Sequence, residues 1–273
     1  MTDATVVWFE DDACRAVTVA GGKGASLAAV TAAGLPVPPG FVVAAGVLEA
    51  SVDAAALRAL AAAGDHERAQ ALVAAVEPPR AAIVAAYERL GSGAVAVRSS
   101  ACAEDSETAS FAGQQETYLN VNGADELCRR VVDCWASFFS ERALFYRGHK
   151  GRRDDLRMAV VVQRMLEPRK SGVLFTADPI QHRHDQMIVE AVFGLGEQVV
   201  SGETTPDNYV IARDGRLKHE HLVDGGVLEP GELRALAELG CRLEQSFGRP
   251  QDVEWAIAEG TVYVLQSRPV TTL

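Results

Sequence analysis

Near the C-terminal end of the sequence Asp252-Val253-Glu254-Trp255 alternates polar and apolar residues, and the strand-forming stretches 254–257 and 262–266 flank Glu259-Gly260. Period-two alternation belongs to strands with one buried face, and a short glycine-containing turn joins two such strands into an antiparallel hairpin. Further strands are predicted over residues 6–9, 15–19, 41–44, 94–98, 116–121, 158–163, 172–177 and 187–192. Helical spacing of apolar residues marks 27–33, the alanine-rich stretch 47–90, then 125–147 and 231–247. Strands and helices interleave along the chain, which places it in the α/β or α+β class. The mixed-charge stretch 148–157 reads as a connection, so two subdomains are expected, 1–155 and 156–273.

With 273 residues, 48% of them hydrophobic, the chain can bury a substantial core. A formal net charge of −11 argues against non-specific adhesion to nucleic acid or to an anionic membrane, since both would repel such a surface. The N-terminus carries acids where a leader would carry Lys or Arg ahead of an apolar run, and the expectation is a cytoplasmic protein. The five cysteines (Cys14, Cys102, Cys128, Cys134 and Cys241) are odd in number and show no C-x-x-C spacing, so they indicate neither a disulfide framework nor a zinc site.

Three groups of residues have chemistry to offer. In Gly21-Gly22-Lys23-Gly24, read as a turn feeding a helix, glycines let backbone N–H groups approach an anion and Lys23 adds a mobile charge. A glycine turn with a surface lysine is the alternative. Arg98 ends an apolar strand ahead of Ser99-Ser100, where a guanidinium fork can clamp an anion or pair with Glu104 or Asp105. In the hairpin, Glu254 and Gln266 occupy positions from which both could reach one cation, with Arg268 close by. One carboxylate and one amide oxygen suit Mg²⁺, whose octahedron is completed by phosphates and waters. A hydrogen-bonded Glu–Gln cross-strand pair is the alternative. The aromatics of 125–147, drawn on a stripe through Leu127, Val131, Trp135, Phe138 or Phe139, and Arg142, read as core.

Taken together, these segments resemble the ATP-grasp domain of the phosphoenolpyruvate synthase family, which includes pyruvate phosphate dikinase and rifampicin phosphotransferase. The resemblance is carried by GGKGASL at 21–27, LPVPPGF at 35–41, VAVRSSACAEDSETASFAGQQETYLNV at 95–121 and CWASFFSERALFYR at 134–147. It continues through VVVQRMLEPRKSGVLFTADP at 161–179, VEAVFGLGEQVVSGETTPDNYVI at 189–211, DVEWAI at 252–257 and YVLQSRPVT at 263–271. It implies two subdomains with ATP in the cleft between them. Lys23 and Arg98 would then hold phosphate oxygens, and the loop 110–117, with Gly113, Gln114, Gln115 and Thr117, would close over the triphosphate. Gln163-Arg164-Met165-Leu166 would form the adenine hinge, with backbone groups of Met165 or Leu166 on the base, and Glu197 would be a polar site residue. Glu254 and Gln266 would be the Mg²⁺ ligands, and Arg268 the cation that steadies the transferring phosphate.

The resemblance further implies cleavage of Mg·ATP to AMP, with the phosphoryl group passing to a histidine. None of His66, His149, His182, His184, His219 or His221 lies in the family's glycine-rich Thr-Ser-His setting. The expected acceptor is therefore a histidine on a separate carrier protein or domain. A self-sufficient kinase acting on a small molecule is the second reading, and a non-catalytic nucleotide sensor the third. Closure of the two subdomains on ATP is expected as well, because excluding water protects the transfer from hydrolysis.

Overall fold

The computed structural model describes residues 4–102, 116–149, 155–196, 205–223 and 225–271. The chain has the expected mixed α/β architecture, with two antiparallel sheets. It divides into two compact units, Met1–Ala28 with Pro39–Met165, and Ala29–Pro38 with Leu166–Leu273.

The first unit contains β1 (Val6–Trp8), β2 (Gly40–Val43), β3 (Val95–Ala101), β4 (Thr117–Val121) and β5 (Met158–Arg164). Their order in the sheet is β1-β2-β5-β3-β4. Cross-strand partners share a face and successive residues alternate. One face therefore gathers Phe41, Val43, Val95, Val97, Val160 and Val162, which form a single core with Leu57, Ile83, Leu127 and Trp135. The helices supplying that core are α2 (Val47–Ser51), α3 (Ala54–Ala63), α4 (His66–Ala74), α5 (Arg80–Leu90), α6 (Ala124–Ser137) and α7 (Glu141–His149). The side chains of Asp53 and Asp65 cap α3 and α4, accepting from the backbone N–H groups of Ala56 and Arg68.

The opposite face carries α1 (Val17–Ala32), and here the structure corrects the expected strand over 15–19. Asp12–Arg15 is a 3₁₀ turn, and the glycine segment lies inside α1, whose backbone breaks at Gly21 (φ 67, ψ 178). Small residues at Ala20, Gly24 and Ala28 let α1 lie close on the sheet. A Cβ on Gly24 would stand 2.9 Å from the Ala20 Cβ and 3.0 Å from the Val42 Cγ2. That packing overrides the strand preference of Val17, Thr18 and Val19.

The stretch read as one helix over 125–147 is two, α6 and α7. Phe138 to Ser140 break the run, so the phase shifts: Trp135, Phe139, Ala143 and Leu144 are buried, whereas Arg142 is exposed. The division between the units falls after Met165 rather than near 155, because β5 lies in the middle of the first sheet.

The second unit contains β6 (Lys170–Phe175), β7 (Gln186–Phe193), β8 (Asp207–Ala212), β9 (Leu217–His221), α8 (Pro230–Phe247), β10 (Gln251–Ala258) and β11 (Thr261–Pro269). The sheet order is β11-β10-β6-β7-β8-β9. Leu174, Met187, Val189, Tyr209, Val253 and Trp255 project from one face and pack with Leu233, Leu236 and Leu243 of α8. The hairpin expected at the end of the sequence is β10–β11. Its turn residues Glu259 (φ 50) and Gly260 (φ 76) are both left-handed, as a type I′ turn requires. The sequence did not disclose β9, because all five of its residues are exposed and nothing in Leu-Lys-His-Glu-His alternates.

Buried polar groups fasten this unit. The Asp207 carboxylate accepts from the backbone N–H groups of Val223 (2.6 Å), Gly226 (3.1 Å) and Val227 (2.8 Å) and from the Tyr209 hydroxyl (3.1 Å). Lys170 pairs with Glu232 in the first turn of α8 at 2.6 Å. Among the described residues, no helix is long and apolar enough to cross a membrane.

Candidate functional site

In the first unit the face that carries α1 also carries polar side chains. Arg98 and Thr117 are direct cross-strand partners on β3 and β4, and Gln163 on β5 pairs with Ala96 and Gly40. All three therefore point to the side of the sheet on which α1 lies. Arg98 is only 8% exposed and Gln163 is buried, whereas Thr117 is exposed. Lys23, on α1, donates from its Nζ to the carbonyl oxygen of Ser99 at 3.1 Å, beside Arg98. The structure thus brings Lys23, Arg98 and Thr117 together at the β3–β4 end of the sheet. Glu104 and Asp105, the alternative partners for Arg98, lie outside the described residues.

The glycines around Lys23 act differently from the reading in which their N–H groups cradle an anion. Gly24 N–H donates to the Ser100 Oγ at 3.2 Å, and that hydroxyl donates to the Ala20 carbonyl at 2.8 Å. A Cβ on Gly21 would lie 2.1 Å from the Ser100 carbonyl oxygen. Gly21 and Gly24 dock α1 on β3, and Lys23 is carried to its place by that docking. The strand expected to end at Arg98 runs on to Ala101, so Ser99 and Ser100 belong to β3 and both are buried.

The four-residue hinge expected at 163–166 is spent in part on the first sheet. Arg164 N–H donates to the Pro39 carbonyl and Met165 N–H to the Ala94 carbonyl, each at 2.9 Å. Met165 therefore has its carbonyl, and not its amide, to offer a ligand, while Leu166 begins the second unit. Gly113, Gln114, Gln115 and Glu197 lie outside the described residues.

In the second unit the sheet face turned away from α8 carries a row of direct cross-strand partners that runs Asn208, Glu190, Val173, Glu254, Gln266 over five strands. Glu254 and Gln266 stand opposite one another, both half-buried. One carboxylate and one amide oxygen on adjacent strands are hard donors of the type Mg²⁺ accepts alongside phosphate oxygens and waters. Among the described residues no cluster of three or more His, Cys, Asp or Glu could hold a metal ion. Two residues along the strands Asp252 pairs with Arg268, whose Nε donates to the Asp252 Oδ2 at 2.8 Å and whose Nη2 forms an ion pair with the same oxygen at 2.7 Å.

Glu190, Asn208 and Asp252 share this face and were not among the expected site residues. Burial pushes the carboxyl groups of Glu190 and Asp252 up from their ordinary values; the nearby Arg268 pulls Asp252 back down in part. The Asn208 amide reaches Glu190 Oε1 at 3.5 Å. An available signal was the lone acid inside the otherwise apolar run 187–192, since a partly buried acid in a strand is costly without a partner.

Residues 17–227 and 217–273 match the family described as pyruvate phosphate dikinase, AMP/ATP-binding domain. The chain belongs to this family. Among its relatives are a probable phosphoenolpyruvate synthase of Methanothermobacter thermautotrophicus, 40% identical over 98% of this chain and 46% of that protein, and one of Methanocaldococcus jannaschii, 37% identical over 98% of this chain and 27% of that protein. A rifampicin phosphotransferase of a Streptomyces species is 40% identical over 100% of this chain and 36% of its own length. The chain thus spans between about a quarter and a half of these relatives. Every segment quoted for the resemblance lies within the residues that the AMP/ATP-binding domain family matches.

Proposed function

We propose that this chain is the ATP-grasp unit of a dikinase-type phosphotransferase, binding Mg·ATP and passing a phosphoryl group to a histidine on a carrier protein or domain, with AMP released. The observation that carries the reading is the Glu254–Gln266 pair, set beside Arg268 on one sheet face in a chain of the AMP/ATP-binding domain family. In this reading Glu254 and Gln266 hold Mg²⁺, which would neutralise charge on the phosphates. Lys23, Arg98 and Arg268 bind phosphate oxygens, and Gln163 with the backbone of Met165 and Leu166 recognises the adenine side. Positioning and charge stabilisation supply most of the catalysis in phosphoryl transfer, so such a set suffices without a protein nucleophile of its own.

The presence of a rifampicin phosphotransferase among the relatives favours a second reading, in which a small molecule receives the phosphoryl group. One experiment separates the two. The chain is incubated with Mg·ATP, alone and with candidate carrier proteins, while AMP, ADP and acid-labile protein phosphate are resolved. AMP together with acid-labile phosphate on a second protein supports the first reading. A phosphorylated small molecule made by the chain alone supports the second. Failure to bind ATP at all removes both.

A further inference from the structure

The pairing of Asp252 with Arg268 has a geometry that bears on how the arginine would meet a phosphate. Both contacts go to a single carboxylate oxygen and use one side of the guanidinium, Nε and Nη2. A guanidinium carries five N–H donors in a fixed plane, so this leaves the Nη1 hydrogens and one on Nη2 directed away from the carboxylate. The Arg268 side chain is 52% exposed, whereas that of Asp252 is 12% exposed. The anchor is thus the buried partner and the arginine the accessible one.

The anchor itself stands on a rigid base. On the opposite face of the same hairpin end, the Ser267 hydroxyl donates to Gln251 Oε1 at 3.0 Å and Gln251 N–H donates to the Thr176 hydroxyl at 2.8 Å, with Gln251, Ser267 and Thr176 all buried. Thr176 in turn donates to Glu244 of α8 at 2.6 Å. An exposed arginine ordinarily samples many rotamers, and ordering it on binding costs affinity. Here the ordering is built in before any ligand arrives.

We infer that Asp252 is a positioning residue: it locks the Arg268 guanidinium on the sheet face that carries Glu254 and Gln266, with its remaining N–H donors preorganised for the outer phosphates of a nucleoside triphosphate. The inference rests on the proposed nucleotide reading and adds to it a residue that acts only through Arg268. Its signature is selectivity, because donors preorganised for outer phosphates contribute to Mg·ATP and nothing to AMP.

The test is calorimetric titration of the full chain with Mg·ATP and with AMP, for the wild type, Asp252→Asn, Arg268→Ala and the double substitution. Asp252→Asn is expected to weaken Mg·ATP about tenfold, as for loss of a charge-assisted hydrogen bond. AMP affinity stays unchanged, and the double variant matches Arg268→Ala alone. Asp252→Glu, which keeps the carboxylate, retains most of the affinity and serves if the asparagine variant folds poorly. Additive losses, an equal loss for AMP, or tighter ATP binding by Asp252→Asn would each overturn the inference. If Arg268→Ala leaves ATP affinity intact while Lys23→Ala and Glu254→Ala weaken it, the inference falls and the nucleotide reading stands. A wild-type chain that binds no Mg·ATP removes both.

Discussion

Ser100 occupies the space that a side chain on Gly21 would need. An ideal Cβ at Gly21 would lie 2.1 Å from the Ser100 carbonyl oxygen and 2.3 Å from its Oγ, and the backbone there has φ 67. Gly21→Ala therefore combines a left-handed conformation with a clash against strand backbone, and a loss of about 3 kcal/mol or more is expected. Urea unfolding of the variant measures it. Ser100→Ala, which leaves the Gly24 N–H without its acceptor, is expected to cost about 1–2 kcal/mol.

Glu254→Ala is expected to lower Mg-dependent turnover by about 100-fold, the usual scale for removing one element of charge stabilisation. Nucleotide affinity measured without the metal should change little. Lys23→Ala is expected to lower both turnover and affinity. Titrating Mg²⁺ against rate at saturating ATP separates them, since only the loss of a metal ligand moves the Mg²⁺ midpoint. An unmoved midpoint in Glu254→Ala would remove that residue from the metal site.

Asp207→Ala is expected to destabilise the second unit by about 3 kcal/mol or more. The carboxylate accepts from the Tyr209 hydroxyl and from the backbone N–H groups of 223, 226 and 227, which are left without that partner. Hydrogen exchange at those three amides reports the loss locally, where a purely global effect would spread over the sheet.

Asp178 gives stability a pH dependence. Burial pushes its carboxyl group up, but hydrogen bonds from the Gln181 N–H, the Gln186 side chain and the Ile180 N–H outweigh this and hold it below the usual carboxylate value. A depressed carboxylate contributes stability that is complete above the unfolded value of about 3.9 and is lost as pH falls through the folded value. Urea midpoints taken from neutral pH down to about 2 are expected to fall less steeply in Asp178→Asn than in the wild type. Parallel curves would exclude Asp178 as a contributor.

Local pattern made parts of this fold readable. The strand-forming stretches 254–257 and 262–266 around Glu259-Gly260 foretold β10, β11 and their turn, because a two-residue turn closes a hairpin locally; the register shift between Glu254 and Trp255 was not legible there. The same local logic misread 15–19. Val17, Thr18 and Val19 have strand preference, but Ala20, Gly24 and Ala28 offer a flat helical face that packs on β2 and β5, and packing won. The stripe drawn through 125–147 assumed one continuous helix. The break after Ser137 moved Arg142 to the surface and Ala143 into the core.

The sequence alone determined the class of the fold, the hairpin that carries Glu254 and Gln266, and the family, because each depends on short-range pattern or on segments compared in order, whereas a register shift between Glu254 and Trp255 is what sets Glu254 opposite Gln266. Tertiary structure decided that Gly21 and Gly24 serve α1 docking, that Met165 spends its amide on Ala94, and that Glu190 and Asn208 share a face with Glu254. The β7–β6–β10 register joins segments more than sixty positions apart. Which side chains it aligns depends on how distant strands meet, and no window of neighbouring residues encodes that.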